Sequence, residues 1–323
     1  MPSHTTLVSV AELQALQSLA PSATTTTLQV WDCSFDLLNP LLGPEQFAQG
    51  HIPGARHAHL ERDLSAHRST GVATASGGRH PLPTREAFAE WVRQQGVTPD
   101  TQVVVYDRNG MNYCGRLWWM LKWVGHEAVA VLDGGWQAWL AAGGITETGD
   151  GTGSGQPSTA ADVTAAVASK AAEPPSAAKP SMDAISLPEP GCRTVDTASL
   201  SQALGSGRYT LIDARATARF RGETEPIDPV AGHIPGALNR PFAHNLGPDG
   251  CFKPADQLRA EFLSLLNGRD PASVVHHCGS GVSAVPNLLA MEVAGLGRQT
   301  LYPGSWSEWC TTQPPLPVAT GSA

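Results

Sequence analysis

Short runs of β-branched and apolar residues alternate along this chain with longer stretches of helical period. Gln102 to Tyr106 and Ser273 to His276 read as buried strands, whereas Arg85 to Gln95 and Ala255 to Leu266 repeat apolar residues every three or four positions. That alternation predicts an α/β fold: a mainly parallel sheet covered by helices on both faces. Reactive groups in such sheets collect at the carboxyl ends of the strands.

The pattern occurs twice. His51-Ile52-Pro53-Gly54-Ala55 returns as His233-Ile234-Pro235-Gly236-Ala237, and the surroundings return in the same order. Leu28 to Asp32 matches Tyr209 to Asp213, Val103 to Asp107 matches Val274 to Cys278, and Gly134 to Trp139 matches Gly304 to Trp309. The expected organisation of the 323 residues is an N-terminal tail (1–23), a first domain (24–148), a linker (149–192) and a second domain (193–320). The linker is rich in Ala, Ser, Gly, Thr and Pro, and no aromatic residue occurs between Trp139 and Tyr209. Such a segment buries too little apolar surface to offset its ordering entropy, which predicts a flexible connection.

Charge and cysteine usage narrow the function. A net charge of −8, with no Lys/Arg cluster, disfavours nucleic acid as a partner. No apolar stretch approaches the roughly 18 residues of a membrane span, and Met1-Pro2-Ser3-His4 opens no export signal, so a cytoplasmic protein is expected. The six cysteines form no Cys-x-x-Cys pair and no cluster with metal-ligand spacing, which predicts no metal, no disulfide framework and no cofactor.

One cysteine stands out by its context. Cys278 follows Val274-Val275, opens the small-residue loop Gly279-Ser280-Gly281-Val282-Ser283, and precedes a helix from Ala284 to Leu296 with Pro286 in its first turn. Strand, tight loop and helix start form an anion cradle of main-chain N–H groups, in which a thiolate or persulfide is stabilised. The same alignment puts Asp107 opposite Cys278, and a carboxylate cannot carry sulfane sulfur, so the first domain is expected to be catalytically silent. Cys114, Trp118 and Trp119 read as core. His276 and His277 are adjacent on a strand, point to opposite faces and cannot serve one site.

The duplicated His-Ile-Pro-Gly-Ala element, the paired Trp segments and Cys278-Gly279-Ser280-Gly281-Val282-Ser283-Ala284 resemble the tandem-domain rhodaneses, and the loop resembles that of their mercaptopyruvate enzymes. The resemblance covers both halves. It implies a sulfurtransferase in which Cys278 becomes a persulfide and passes sulfur from 3-mercaptopyruvate to cyanide or to a thiol, such as thioredoxin or a small thiol. Thiosulfate is the alternative donor, and a non-catalytic sulfur carrier or sensor the alternative role. Ser280 would join a His and an acid from the first domain in a proton relay. The match for the His is His80; the acid is Glu61 by ungapped spacing, or Asp63 after a two-residue shift. Arg219 falls where the family binds donor, with Gly279, Gly281, Val282 and Ser283 supplying backbone contacts. A second arginine expected before the second His-Ile-Pro-Gly is absent from residues 224–231, which leaves Arg221 as the substitute. A rhodanese-fold phosphatase would need Arg six residues after the cysteine, where Ala284 stands.

Overall fold

The computed structural model describes residues 3–19, 27–66, 73–151, 157–158 and 189–322. Most of the expected linker, 152–156 and 159–188, lies outside them.

In the first half β1 (Leu7–Val8), β2 (Thr27–Asp32), β3 (Arg56–His57), β4 (Thr101–Tyr106) and β5 (Val129–Leu132) form a parallel sheet in the order β1-β5-β4-β2-β3. β6 (Thr146–Glu147) and β7 (Pro157–Ser158) pair antiparallel beyond it. The second half repeats the sheet with β8 (Arg193–Thr194), β9 (Thr210–Asp213), β10 (Leu238–Asn239), β11 (Val274–His277) and β12 (Thr300–Leu301), in the order β10-β9-β11-β12-β8. Read from the other edge, the two orders are the same. The central strands β4 and β11 are buried along their whole length, because helices cover both faces. That is why neither strand alternates apolar and polar residues.

Residues expected as a tail belong to the fold. β1 is the edge strand against β5, and α1 (Val10–Ser18) follows from a reciprocal cap in which Ser9 and Glu12 satisfy each other's N–H groups. A two-residue strand and a nine-residue helix carry little periodic signal, and only the Ser9/Glu12 pair marks the start.

The repeated pentapeptide has a structural explanation. Helices α2 (Leu42–Gln49), α3 (Arg85–Gln94), α4 (Cys114–Trp123) and α5 (Gly135–Ala141) belong to the first half; α6 (Thr197–Ala203), α7 (Thr217–Phe220), α8 (Ala255–Leu266), α9 (Val285–Val293) and α10 (Ser305–Trp309) belong to the second. His51 stacks on Phe47 of α2 with ring centroids 3.9 Å apart, and its Nδ1 pairs with the Phe47 carbonyl at 2.8 Å. His233 repeats this on Phe220 of α7, at 3.7 Å and 2.7 Å. Each His therefore adds a side-chain hydrogen bond to a carbonyl at the C-terminal end of its helix.

The halves meet along α4 and α9. All ten residues of α4 are buried, including Arg116 and Lys122, since one flank faces its own sheet and the other faces α9. A helix covered on every side reads as apolar all round, which Cys114 to Trp123 nearly does. Gly115 permits the close approach: a Cβ there would stand 3.2 Å from Val285. Trp118 and Trp119 join Val285, Leu288 and Leu289 in one core cluster that crosses the boundary. Lys122 Nζ reaches Glu292 at 2.8 Å, and Arg298 reaches Glu127 at 2.8 Å.

Candidate active site

The site is built at the carboxyl end of β11, where the chain leaves the sheet at Cys278. Two donors from the opposing turn hold the loop: Trp306 N–H reaches the Cys278 carbonyl at 3.0 Å and Ser307 N–H the Gly279 carbonyl at 2.9 Å. Cys278 N–H itself donates to Ser305 Oγ at 3.1 Å. Gly281 turns the loop with φ of 74°, and a Cβ there would stand 2.3 Å from the Pro303 oxygen. That position is closed to side chains. Among the described residues, none of the main-chain N–H groups from Gly279 to Ala284 is given to a protein acceptor. Pro286 follows in the first turn of α9.

Cys278, Gly279, Ser280, Val282 and Ser283 line a cavity of about 240 Å³ between the halves, together with His80, Arg79, Arg215 and Arg219. His80 Nδ1 lies 2.7 Å from Ser280 Oγ, so a residue of the first half meets the cysteine loop of the second. Arg219 is on α7, at the cavity wall.

Other expected site residues stand elsewhere. Gly281 shapes the loop from behind and does not line the cavity. Asp63 is committed to the His59 N–H at 2.8 Å and to Arg62 at 2.7 Å. Glu61 is half-buried on the same turn, its main-chain N–H donating to His59 Nδ1 at 3.2 Å. Ser280 and His80, expected together, are brought within hydrogen-bond distance. Arg221 points outward and pairs with Glu223 at 3.7 Å, so it does not replace a second arginine. His276 packs against Met291 Sδ at 3.1 Å, and burial pulls its pKa down to about 3. His277 is buried beside Asp213, its pKa lowered by burial.

Three arginines at the site carried no motif. Arg79 is adjacent to His80 in sequence, which is the one cue that could have found it. Arg215 is buried against Asp213 and Glu225. Arg116, fully buried on α4, donates to the carbonyls of Gly281 at 3.0 Å, His80 at 3.0 Å and Leu64 at 3.3 Å. It thereby ties the loop behind Cys278 to the segment that carries His80. Burial draws its guanidinium down to about 10, opposed by the nearby Cys278.

The first half contains the same cradle, filled. Asp107 follows β4 as Cys278 follows β11, and its carbonyl accepts from Trp136 N–H at 3.1 Å as the Cys278 carbonyl does from Trp306. Its carboxylate receives four main-chain N–H groups, from Asn109, Met111, Tyr113 and Cys114, at 2.7 to 2.9 Å. Burial raises the Asp107 pKa, and the four donors oppose that rise.

A family model described as the rhodanese-like domain matches residues 19–142 and again residues 196–312. The chain belongs to the rhodanese family. Among similar proteins, a probable 3-mercaptopyruvate sulfurtransferase of Pseudomonas aeruginosa is 43% identical over 320 residues, covering 97% of this rhodanese and all of the relative. The thiosulfate sulfurtransferase of Bos taurus is 31% identical over 294 residues, covering 89% and 86% of the two chains. Among solved structures, the 3-mercaptopyruvate sulfurtransferase of Leishmania major superposes with a TM-score of 0.71 at 26% identity, over 96% of this chain and 76% of that one. Among the described residues no helix is long and apolar enough to cross a membrane.

Proposed function

We propose that this rhodanese is a sulfurtransferase that moves sulfur from 3-mercaptopyruvate to cyanide or a thiol through a persulfide on Cys278. The observation that carries the reading is the unspent row of N–H groups around a cysteine that faces a small, arginine-lined cavity.

The Cys278 thiolate attacks the donor sulfur. A sulfur–sulfur bond forms, the donor's carbon–sulfur bond breaks, and its electron pair remains on carbon as the enolate of pyruvate. The proton that the donor thiol brought in must reach that carbon, and Ser280 with His80 provides a path for it. The persulfide left behind is an anion, which the loop N–H groups accommodate. An acceptor thiolate or cyanide then takes the outer sulfur and returns Cys278 to its thiolate. The cavity lies below the size of a drug-sized pocket and suits a donor of a few heavy atoms. A neutral Cys278-Gly279-Ser280-Gly281 loop favours a monoanionic donor over dianionic thiosulfate.

Incubation with 3-mercaptopyruvate alone should add one sulfur, about 32 Da, to Cys278 and to no other cysteine. Mass spectrometry of the trapped protein reads it directly. Sulfur found on another cysteine, or on none, ends the proposal.

A further inference from the structure

Three carbonyls of the loop after β11 are pinned from outside. Trp306 N–H holds the Cys278 carbonyl, Ser307 N–H holds that of Gly279, and Arg116 Nη1 holds that of Gly281 at 3.0 Å. In a trans peptide the C=O and the following N–H point opposite ways, so each pin turns the next N–H, of Gly279, Ser280 or Val282, away from itself. Two of the pins are neutral main-chain groups of the second half. The third is a cation from α4 of the first.

The other arginines near Cys278 come with carboxylates. Arg215 pairs with Asp213 and Glu225, Arg219 with Glu225 and Asp228, and Arg79 with Asp228, so three guanidinium groups and three carboxylates cancel. His80 is hydrogen-bonded to Ser280, and burial holds His277, beside Asp213, toward its neutral form. Arg116 differs. It is 0% exposed, its acceptors are the carbonyls of Gly281, His80 and Leu64, and no carboxylate pairs with it among the described residues. Cys278 is the group that opposes the effect of that burial. A buried cation without a counter-ion is costly, and an anion placed beside it relieves the cost.

Arg116 takes no part in the cavity wall, so it is not a contact for the donor. We propose that Arg116 is a positioning residue from the first domain whose fixed charge, set behind the Cys278 loop, balances the anion on that sulfur, thiolate or persulfide. The proposal rests on the reading of Cys278 as the nucleophile. The half without a nucleophile thus supplies the counter-charge for the half that has one.

Alkylation of Cys278 by iodoacetamide, a neutral reagent, in the donor-free full chain across roughly pH 5 to 10 tests this, with the modified peptide followed by mass spectrometry. Arg116→Gln removes the charge and keeps an amide N–H group for the carbonyls. Arg116→Met fills the space with apolar atoms, a replacement that buried charges often tolerate. In both, the alkylation rate at pH 7 should fall about 10-fold and the midpoint of the profile should rise by about one unit, the smaller end of what a nearby opposite charge does to an acid. Arg116→Lys keeps the charge and should keep the profile near the parent's. With 3-mercaptopyruvate, kcat should fall in the two neutral variants while KM holds within about twofold. Neutral variants that keep the parent's profile, or a Lys variant that shifts as far as they do, would leave Arg116 as an interdomain tie and overturn the proposal. A KM that rises as far as kcat falls would make Arg116 a donor contact and overturn it as well. Because alkylation needs no donor, such a failure is separate from that of the persulfide reading, which shows as a Cys278 that gains no sulfur.

Discussion

The loops after β4 and β11 are the same device in two states. In the first half four main-chain N–H groups close on the Asp107 carboxylate, an anion supplied by the chain itself. In the second, the corresponding position is Cys278, and among the described residues no protein acceptor takes the N–H groups from Gly279 to Ala284. One residue at the head of the loop decides whether the cradle is filled by the chain's own carboxylate or left without one. Backbone geometry built the electrostatics, and the side chain chose its use.

Making the second loop a copy of the first gives the largest expected effect. Cys278→Asp should abolish sulfur transfer while leaving the fold intact, because a carboxylate satisfies the same N–H groups. Transfer from 3-mercaptopyruvate to cyanide and a thermal melt measure the two halves of that statement. A Cys278→Asp protein that still transfers sulfur would break the comparison.

Within the active loop, Ser280→Ala should lower kcat with 3-mercaptopyruvate by about 100-fold, the usual scale for loss of an acid–base partner. Thiosulfate turnover needs no proton on carbon and should fall by less than threefold. Equal losses with both donors would show that Ser280 holds the loop and moves no proton.

Asp107→Ala carries the smallest expected effect on chemistry. Removing the carboxylate strands four buried N–H groups, and stability should drop by about 2 to 4 kcal/mol in a denaturant titration. Activity per folded molecule should stay near that of the parent. A change in donor preference would mean that the silent loop reaches the chemistry after all.

Much of this was legible in the sequence because it depends on local order along the chain. Buried strands at β4 and β11, the duplicated pentapeptide and the Cys278 loop each occupy a handful of consecutive residues. His80 could be placed by its neighbours Pro81, Leu82 and Pro83, and it meets Ser280 from 200 residues away. The arginine arrangement was not legible. Which carboxylates hold Arg79 and Arg219 depends on where Glu225 and Asp228 lie in three dimensions, and no spacing encodes that. Arg116 spends its charge on three carbonyls, and carbonyls belong to every residue. Residues 7–18 were missed because a two-residue edge strand is recruited by β5 rather than by its own pattern.

The shared α4 and α9 surface also changes what kind of object the duplication has become. Two sequence repeats usually suggest two folding units that could melt one after the other. Here the indoles of Trp118 and Trp119 pack in the same cluster as Leu288 and Leu289, and the Lys122 ammonium is buried against Glu292. Separating the halves would open that cluster to water and break the Lys122–Glu292 pair. Unfolding is therefore coupled across the boundary, and the most protected amides of both halves should exchange together. The copy that carries Asp107 in place of a cysteine is half of a single cooperative core.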